Sequence, residues 1–155
     1  MSRAFLLIPT LGSIALLGGA LLFQYVGGLA PCQMCLWQRW PHAIAIGAGI
    51  LALLFPGARL PLAGLAALAI AIGIAIAVFH AGVEWDWWEG LTSCSGSGSA
   101  LSGMTGSDLL SQDGPLGVVR CDEAAWVFLG LSMAGWNAVF SLFLFGFWMR
   151  AVRTA

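Results

Sequence analysis

Uncharged apolar stretches dominate the chain. Ala4–Val26, Leu60–Phe79 and Ala124–Met149 contain no charged residue, and a fourth apolar segment, Leu36–Phe55, contains only Arg39. The apolar positions in these windows run on continuously, without the one-sided spacing of a helix lying on a soluble core. A helix needs roughly 20 apolar residues to cross the ~30 Å hydrocarbon layer. The pattern therefore predicts an all-α integral membrane protein, with four transmembrane helices at about 5–26, 36–55, 61–79 and 125–148. The first window lacks the short core and small-residue cleavage site of a signal peptide. Residues 81–123 form a long polar loop between the third and fourth helices, and residues 1–155 read as a single membrane domain. Pro9 predicts a kink in the first helix. Small residues four apart (Ala15/Gly19, Ala43/Gly47, Ala45/Gly49, Ala69/Gly73) predict close backbone approach within an up-down bundle.

Composition agrees and charge adds orientation. Of the 155 residues, 60% are apolar and 8% charged, where a soluble domain carries about a quarter. There is no lysine, and Arg3, Arg59, Arg150 and Arg153 flank the predicted helices on one side. All seven acids (Glu84, Asp86, Glu89, Asp108, Asp113, Asp122, Glu123) fall in or beside the long loop. Short arginine-bearing segments stay in the cytoplasm, so both termini are expected inside and the loop outside. Within that loop, Trp85, Trp87 and Trp88 suit the headgroup level. Ser95–Ser107 is a Ser/Gly-rich stretch expected to be flexible, and Pro115–Val119 is a short apolar patch that could return to the interface.

Candidate chemistry lies on the same outer side. All four cysteines (Cys32, Cys35, Cys94 and Cys121) fall there. An even count confined to one aqueous face indicates an oxidising compartment such as a bacterial periplasm, reached from the inner membrane. Four cysteines allow three pairings; the C-x-x-C spacing makes Cys32–Cys35 with Cys94–Cys121 the natural resting set. Pro31-Cys32-Gln33-Met34-Cys35 opens the second helix, where the helix N-terminus favours a thiolate. Arg39 stands four residues after Cys35, one turn deeper on the same face. Burying its charge costs roughly 2.5–3.5 kcal/mol on insertion scales, which an anionic partner offsets. A snorkelling arginine beside an inert disulfide would account for Arg39 but leaves the C-x-x-C spacing unexplained. Covalent haem attachment fails because Leu36, not histidine, follows Cys35. A zinc cage of the four thiolates is disfavoured because the loop pair has no C-x-x-C spacing, so no metal is expected. His80 and Glu84 end the third helix, with His80 at a depth to hydrogen-bond a lipid-soluble acceptor beside Arg39, or merely to cap the helix. His42 reads as a packing or headgroup histidine. Gln24, Gln38 and Asn137 read as interhelical hydrogen-bonders, and Trp37, Trp40 and Trp85 as walls of a site near the cysteines.

Taken together, these residues resemble one family. C-x-x-C-x-x-x-R at Cys32, Cys35 and Arg39, then His80-Ala81-Gly82-Val83-Glu84, two loop cysteines, and Cys121-Asp122-Glu123 leading into Phe128-Leu129-Gly130-Leu131-Ser132-Met133 are similar to the disulfide bond formation protein B (DsbB) family. The resemblance covers nearly the whole chain. It departs at Ala134-Gly135, where many members carry proline. It implies a quinone-dependent thiol:disulfide oxidoreductase in the bacterial inner membrane. Such an enzyme reoxidises a periplasmic thioredoxin-fold protein of the DsbA type and passes the electrons to ubiquinone or menaquinone; DsbA, DsbB and quinone are the known route that keeps the periplasm oxidising. By the same resemblance, Cys35 faces the quinone, Arg39 supports its anion, and His80 lies near it. Cys32 exchanges with the loop pair, in which Cys94 meets the partner and Cys121 is the departing sulfur. A vitamin K epoxide reductase arrangement is disfavoured because there the loop pair precedes the C-x-x-C. A paralogue dedicated to one client and a non-enzymatic scaffold with structural disulfides remain as alternatives.

Overall fold

A computed structural model describes residues 3–90, 121–122 and 124–154. Cys94, Arg120, Glu123 and the expected features at 95–107 and 115–119 lie outside these residues. Helix α1 spans Ala4–Tyr25, α2 Gln33–Trp37, α3 Arg39–Leu54, α4 Arg59–Glu84 and α5 Met133–Arg153. A single 3-10 turn at Pro56–Ala58 joins α3 to α4. Four of these helices (α1, α3, α4 and α5) pack as a ring in chain order, in which α3 and α5 each touch both α1 and α4. Helix α1 and the stretch Pro56–Glu84 are long and apolar enough to cross a membrane.

Side-chain size is sorted inside out relative to a soluble bundle. The buried core is largely alanine: Ala45, Ala48, Ala52, Ala63, Ala66 and Ala67 surround Ile70, Leu6 and Trp148. Large aliphatic and aromatic side chains face outward, as at Leu11, Leu22, Leu54 and Phe143, the last 72% exposed. In lipid no hydrophobic effect draws large side chains inward, so small ones collect where backbones approach.

The glycines show how close that approach is. A Cβ on Gly49 would lie 2.1 Å from Thr10 Oγ1, and one on Gly73 2.9 Å from Pro41 Cβ. The Ala45/Gly49 and Ala69/Gly73 pairs are thus buried at the α3–α1 and α4–α3 crossings. Ala43 and Gly47 face outward instead, and nothing lies within 4 Å of a Cβ built on Gly47 or Gly19. Helix α1 runs unbroken through Pro9, and Thr10 Oγ1 donates to the Leu6 carbonyl at 2.6 Å.

Two element boundaries differ from expectation. The second predicted helix divides at Gln38 into α2 and α3. Pro41 is the cause: it has no N–H for the Trp37 carbonyl, and its ring crowds that carbonyl. The last helix begins at Met133, not near 125, and runs on to Arg153. Before it, Val127–Phe128 (β1) and Leu131–Ser132 (β2) pair antiparallel. Leu129 (φ 52°) and Gly130 (φ 80°) supply the two left-handed residues of a tight two-residue turn. Ser132 then caps α5, its Oγ accepting from the Gly135 N–H at 3.1 Å.

Candidate functional site

Cys32 occupies the N-cap of α2 in extended conformation, and its sulfur accepts the Cys35 N–H at 3.3 Å. That cap turns the C-x-x-C back on itself, leaving the Cys32 and Cys35 sulfurs 2.9 Å apart. The Cys32 thiol donates to the Cys35 sulfur. Donation from Cys32 lowers the Cys35 pKa, against an opposing push from burial. Holding that proton, together with burial, raises Cys32. The thiolate therefore settles on Cys35, the second cysteine of the pair.

Cys121 is fully buried and packs with Cys32 and Met34. Its sulfur, the Cys32 sulfur and a ring nitrogen of His80 all lie within 4.8 Å of one another. The structure thus brings together three of the four predicted redox cysteines; the fourth, Cys94, lies outside the described residues. His80 is buried, with Nε2 3.6 Å from Cys32 Sγ and 3.8 Å from Glu84 Oε1, and it also reaches the Cys121 backbone. Glu84 in turn accepts a short hydrogen bond from Ser132 Oγ. The end of α4 is thereby tied to the start of α5 directly beside the cysteines.

On the other side of Cys35 a cavity of about 440 Å³ opens between α1 and α5. Its wall includes Gly19, Phe23, Cys35, Arg39, Trp126 and Trp136. An aromatic column, Phe23–Trp126–Phe128–Trp136–Phe140, runs along one side with ring centroids 5.4 to 6.3 Å apart. Three lining residues hold a buried polar atom with no hydrogen-bond partner among the described residues: Arg39 Nε, Gln24 Oε1 and His42 Nδ1. Unmatched polar atoms in an apolar wall are costly unless a ligand meets them. A flat ring with two carbonyl oxygens matches both the space and the polar atoms, so these residues fit a quinone. Arg39 and Cys35 are among the lining residues. His80 is not among them; on α4 it meets the Cys32 sulfur. Trp37, Trp40 and Trp85 do not line the cavity either; Trp126 and Trp136 do.

His42 is more than a packing residue. Its Nε2 meets Asn137 Oδ1 at 3.0 Å, Asn137 Nδ2 donates to Gln38 Oε1 at 2.6 Å, and Gln38 Nε2 meets His80 Nδ1 at 2.8 Å. Gln38 and Asn137 are interhelical hydrogen-bonders, as expected. Their placement between two histidines depends on the break at Gln38, which the apolar pattern did not reveal.

Comparison with known proteins agrees with this arrangement. The family model for disulfide bond formation protein DsbB matches residues 2–151. The chain is 34% identical over 142 residues to disulfide bond formation protein B of a Polaromonas species, covering 88% of this chain and 82% of that one. The Verminephrobacter eiseniae protein of the same name is 33% identical over 162 residues, covering 99% and 89%. Disulfide bond formation protein B 2 of Pseudomonas aeruginosa is 30% identical over 160 residues, covering 99% and 91%. No solved structure matches the chain. With a family match across nearly its whole length, this chain belongs to the DsbB family of membrane quinone-linked disulfide oxidoreductases.

Proposed function

We propose that the chain relays two electrons through the sulfurs Cys94, Cys121, Cys32 and Cys35 to a ubiquinone or menaquinone in the cavity against Cys35. The observation that carries this reading is the row of sulfurs: Cys121 lies within 4.8 Å of Cys32, Cys32 lies 2.9 Å from Cys35, and Cys35 lines the cavity.

The thiol steps balance as exchanges. A reduced thioredoxin-fold partner of the DsbA type attacks the Cys94–Cys121 disulfide at Cys94, leaves oxidised, and returns that pair as two thiols. The Cys121 thiolate attacks Cys32 of the Cys32–Cys35 disulfide; a Cys32–Cys121 bond forms and Cys35 departs as thiolate. A low-pKa thiol leaves fastest, and Cys35 is the one whose pKa is lowered. Cys94 then attacks Cys121, restoring the loop disulfide and freeing Cys32. A bound quinone supplies the acceptor for the two electrons and two protons released as Cys32 and Cys35 rejoin. Arg39, on the cavity wall, would supply the positive charge that offsets the charge developing on a quinone oxygen. His80 acts on Cys32, from the opposite side.

The same reading sets the protein in the bacterial inner membrane with four spans, both termini cytoplasmic and the cysteines periplasmic. The split of Arg3, Arg59, Arg150 and Arg153 from the seven acids supports it. A trapping experiment tests the order of sulfurs. A Cys121→Ser protein, mixed with a partner lacking its resolving cysteine, accumulates a mixed disulfide through Cys94, and Cys94→Ser traps far less. A partner joined mainly to Cys121 would reverse the two loop roles.

A further inference from the structure

The hydrogen-bonded chain His80–Gln38–Asn137–His42 begins at the Cys32 sulfur and ends at the cavity wall, with the unmatched Nδ1 of His42. Each link has one donor and one acceptor, so the hydrogens along it are not independent; Ser141 Oγ, 3.5 Å from His42 Nε2 and 3.3 Å from Asn137 Oδ1, is a hydroxyl that turns to follow either setting. When Asn137 donates to Gln38, Gln38 has only its NH2 for His80 Nδ1, and Asn137 has only its oxygen for His42 Nε2. His80 then carries its hydrogen on Nε2, toward Cys32, and His42 is left with a bare Nδ1. Turning both amides over reverses every link: His80 Nε2 becomes bare and His42 Nδ1 carries a hydrogen. The heavy atoms fit both settings, since an amide's oxygen and nitrogen exchange places with little change in shape. A mixed setting would leave two donors or two acceptors face to face in a buried site, which is costly.

We infer that Gln38 and Asn137 are positioning residues that lock the two imidazoles to the same tautomer, so that the hydrogen carried by His42 in the cavity wall is set by the hydrogen shown to Cys32. A Cys32 sulfur that needs a donor holds His80 as Nε2–H and leaves His42 Nδ1 as an acceptor. A Cys32 thiol turned toward His80 favours the opposite setting, in which His42 offers a donor to a carbonyl oxygen. The dithiol, in which Cys32 gives its hydrogen to Cys35 and takes one from His80, thereby favours an accepting His42, and loss of the thiols releases that bias. No electron or proton passes along the amides; they transmit orientation alone. Glu84, Cys35 and Cys121 are the other titratable groups beside Cys32 and His80, and they bias the setting without breaking the link.

This inference rests on the cavity as the quinone site, but its test needs no quinone. The chain contains only two histidines, so 15N-histidine labelling shows the four ring nitrogens of His42 and His80 alone. In quinone-free protein in nanodiscs, reducing the Cys32–Cys35 disulfide should shift the tautomer populations of both imidazoles together. In Asn137→Leu, and independently in Gln38→Met, the same reduction should shift His80 only. Two variants guard against one that fails to fold. A His42 that does not respond in the wild type, or that still responds in a folded broken-chain variant, overturns the inference. Failure of quinone reduction with the coupled shift intact would instead count against the cavity assignment.

Discussion

The sulfurs of Cys121 and Cys32 lie within 4.8 Å of each other, with a ring nitrogen of His80 at the same range from both. A disulfide needs its sulfurs about 2.05 Å apart, so a small side-chain adjustment suffices to join these two. In a Cys35→Ser, Cys94→Ser protein, mild oxidation should form the Cys32–Cys121 bond as the dominant product. Peptide mapping without reductant checks this; a Cys32 that remains alkylatable would contradict the contact.

The hydrogen bond from Cys32 to Cys35 divides the reactivity of the C-x-x-C. Cys35 has its pKa lowered by the Cys32 hydrogen bond, so its thiolate persists to a lower pH than an ordinary thiol near 8.5. Cys32 is raised and stays protonated as pH climbs. In the reduced protein, iodoacetamide should label Cys35 first, with a rate that falls only as pH drops through the lowered value. Cys32 should label slowly across the neutral range. Equal labelling of both cysteines, read by peptide mass, would refute the division.

Arg39 lines the cavity, and its buried Nε has no hydrogen-bond partner among the described residues. A charge-assisted hydrogen bond contributes about 1.5–3 kcal/mol, so Arg39→Ala should raise the KM for quinone by about 10- to 100-fold. Loss of the cation should not impair insertion, because buried charge opposes it. Arg39→Lys should recover part of the loss, since a point charge replaces a planar fork. Unchanged quinone kinetics in the alanine variant would remove Arg39 from the site.

The crossing of α3 over α1 leaves no room at Gly49, where a Cβ would meet Thr10 Oγ1 at 2.1 Å. Gly49→Ala should destabilise the bundle by about 1–3 kcal/mol through overpacking. Gly47→Ala, with open space around it, should be near neutral. Denaturation midpoints of the two variants in one detergent distinguish them directly.

These cases show what was readable before folding and what was not. The apolar windows located the four long helices, because a helix that must satisfy its own backbone in lipid leaves an uninterrupted apolar run. The same property hid the hairpin at 127–132: its residues are as apolar as the helix after it, and its turn is Leu129-Gly130 in place of a polar pair. Ser132 three residues before Gly135 was the available signal, as a helix cap. Spacing alone could not tell Ala45/Gly49, which is buried, from Ala43/Gly47 on the outer face. The C-x-x-C and Arg39 were legible because their spacing is local, within eight residues of chain across the α2–α3 junction. The His80–Gln38–Asn137–His42 chain joins three helices and became visible only once they were packed.

The most direct measurement follows quinone absorbance while reduced protein and quinone are mixed without oxygen. With Cys94 and Cys121 both changed to serine, leaving only the C-x-x-C, the account predicts reduction of about one quinone per protein, since one dithiol holds two electrons. Adding Cys35→Ser to that protein should abolish the reduction. Quinone reduction that continues at the same rate without Cys35 would contradict the claim that this dithiol is the donor.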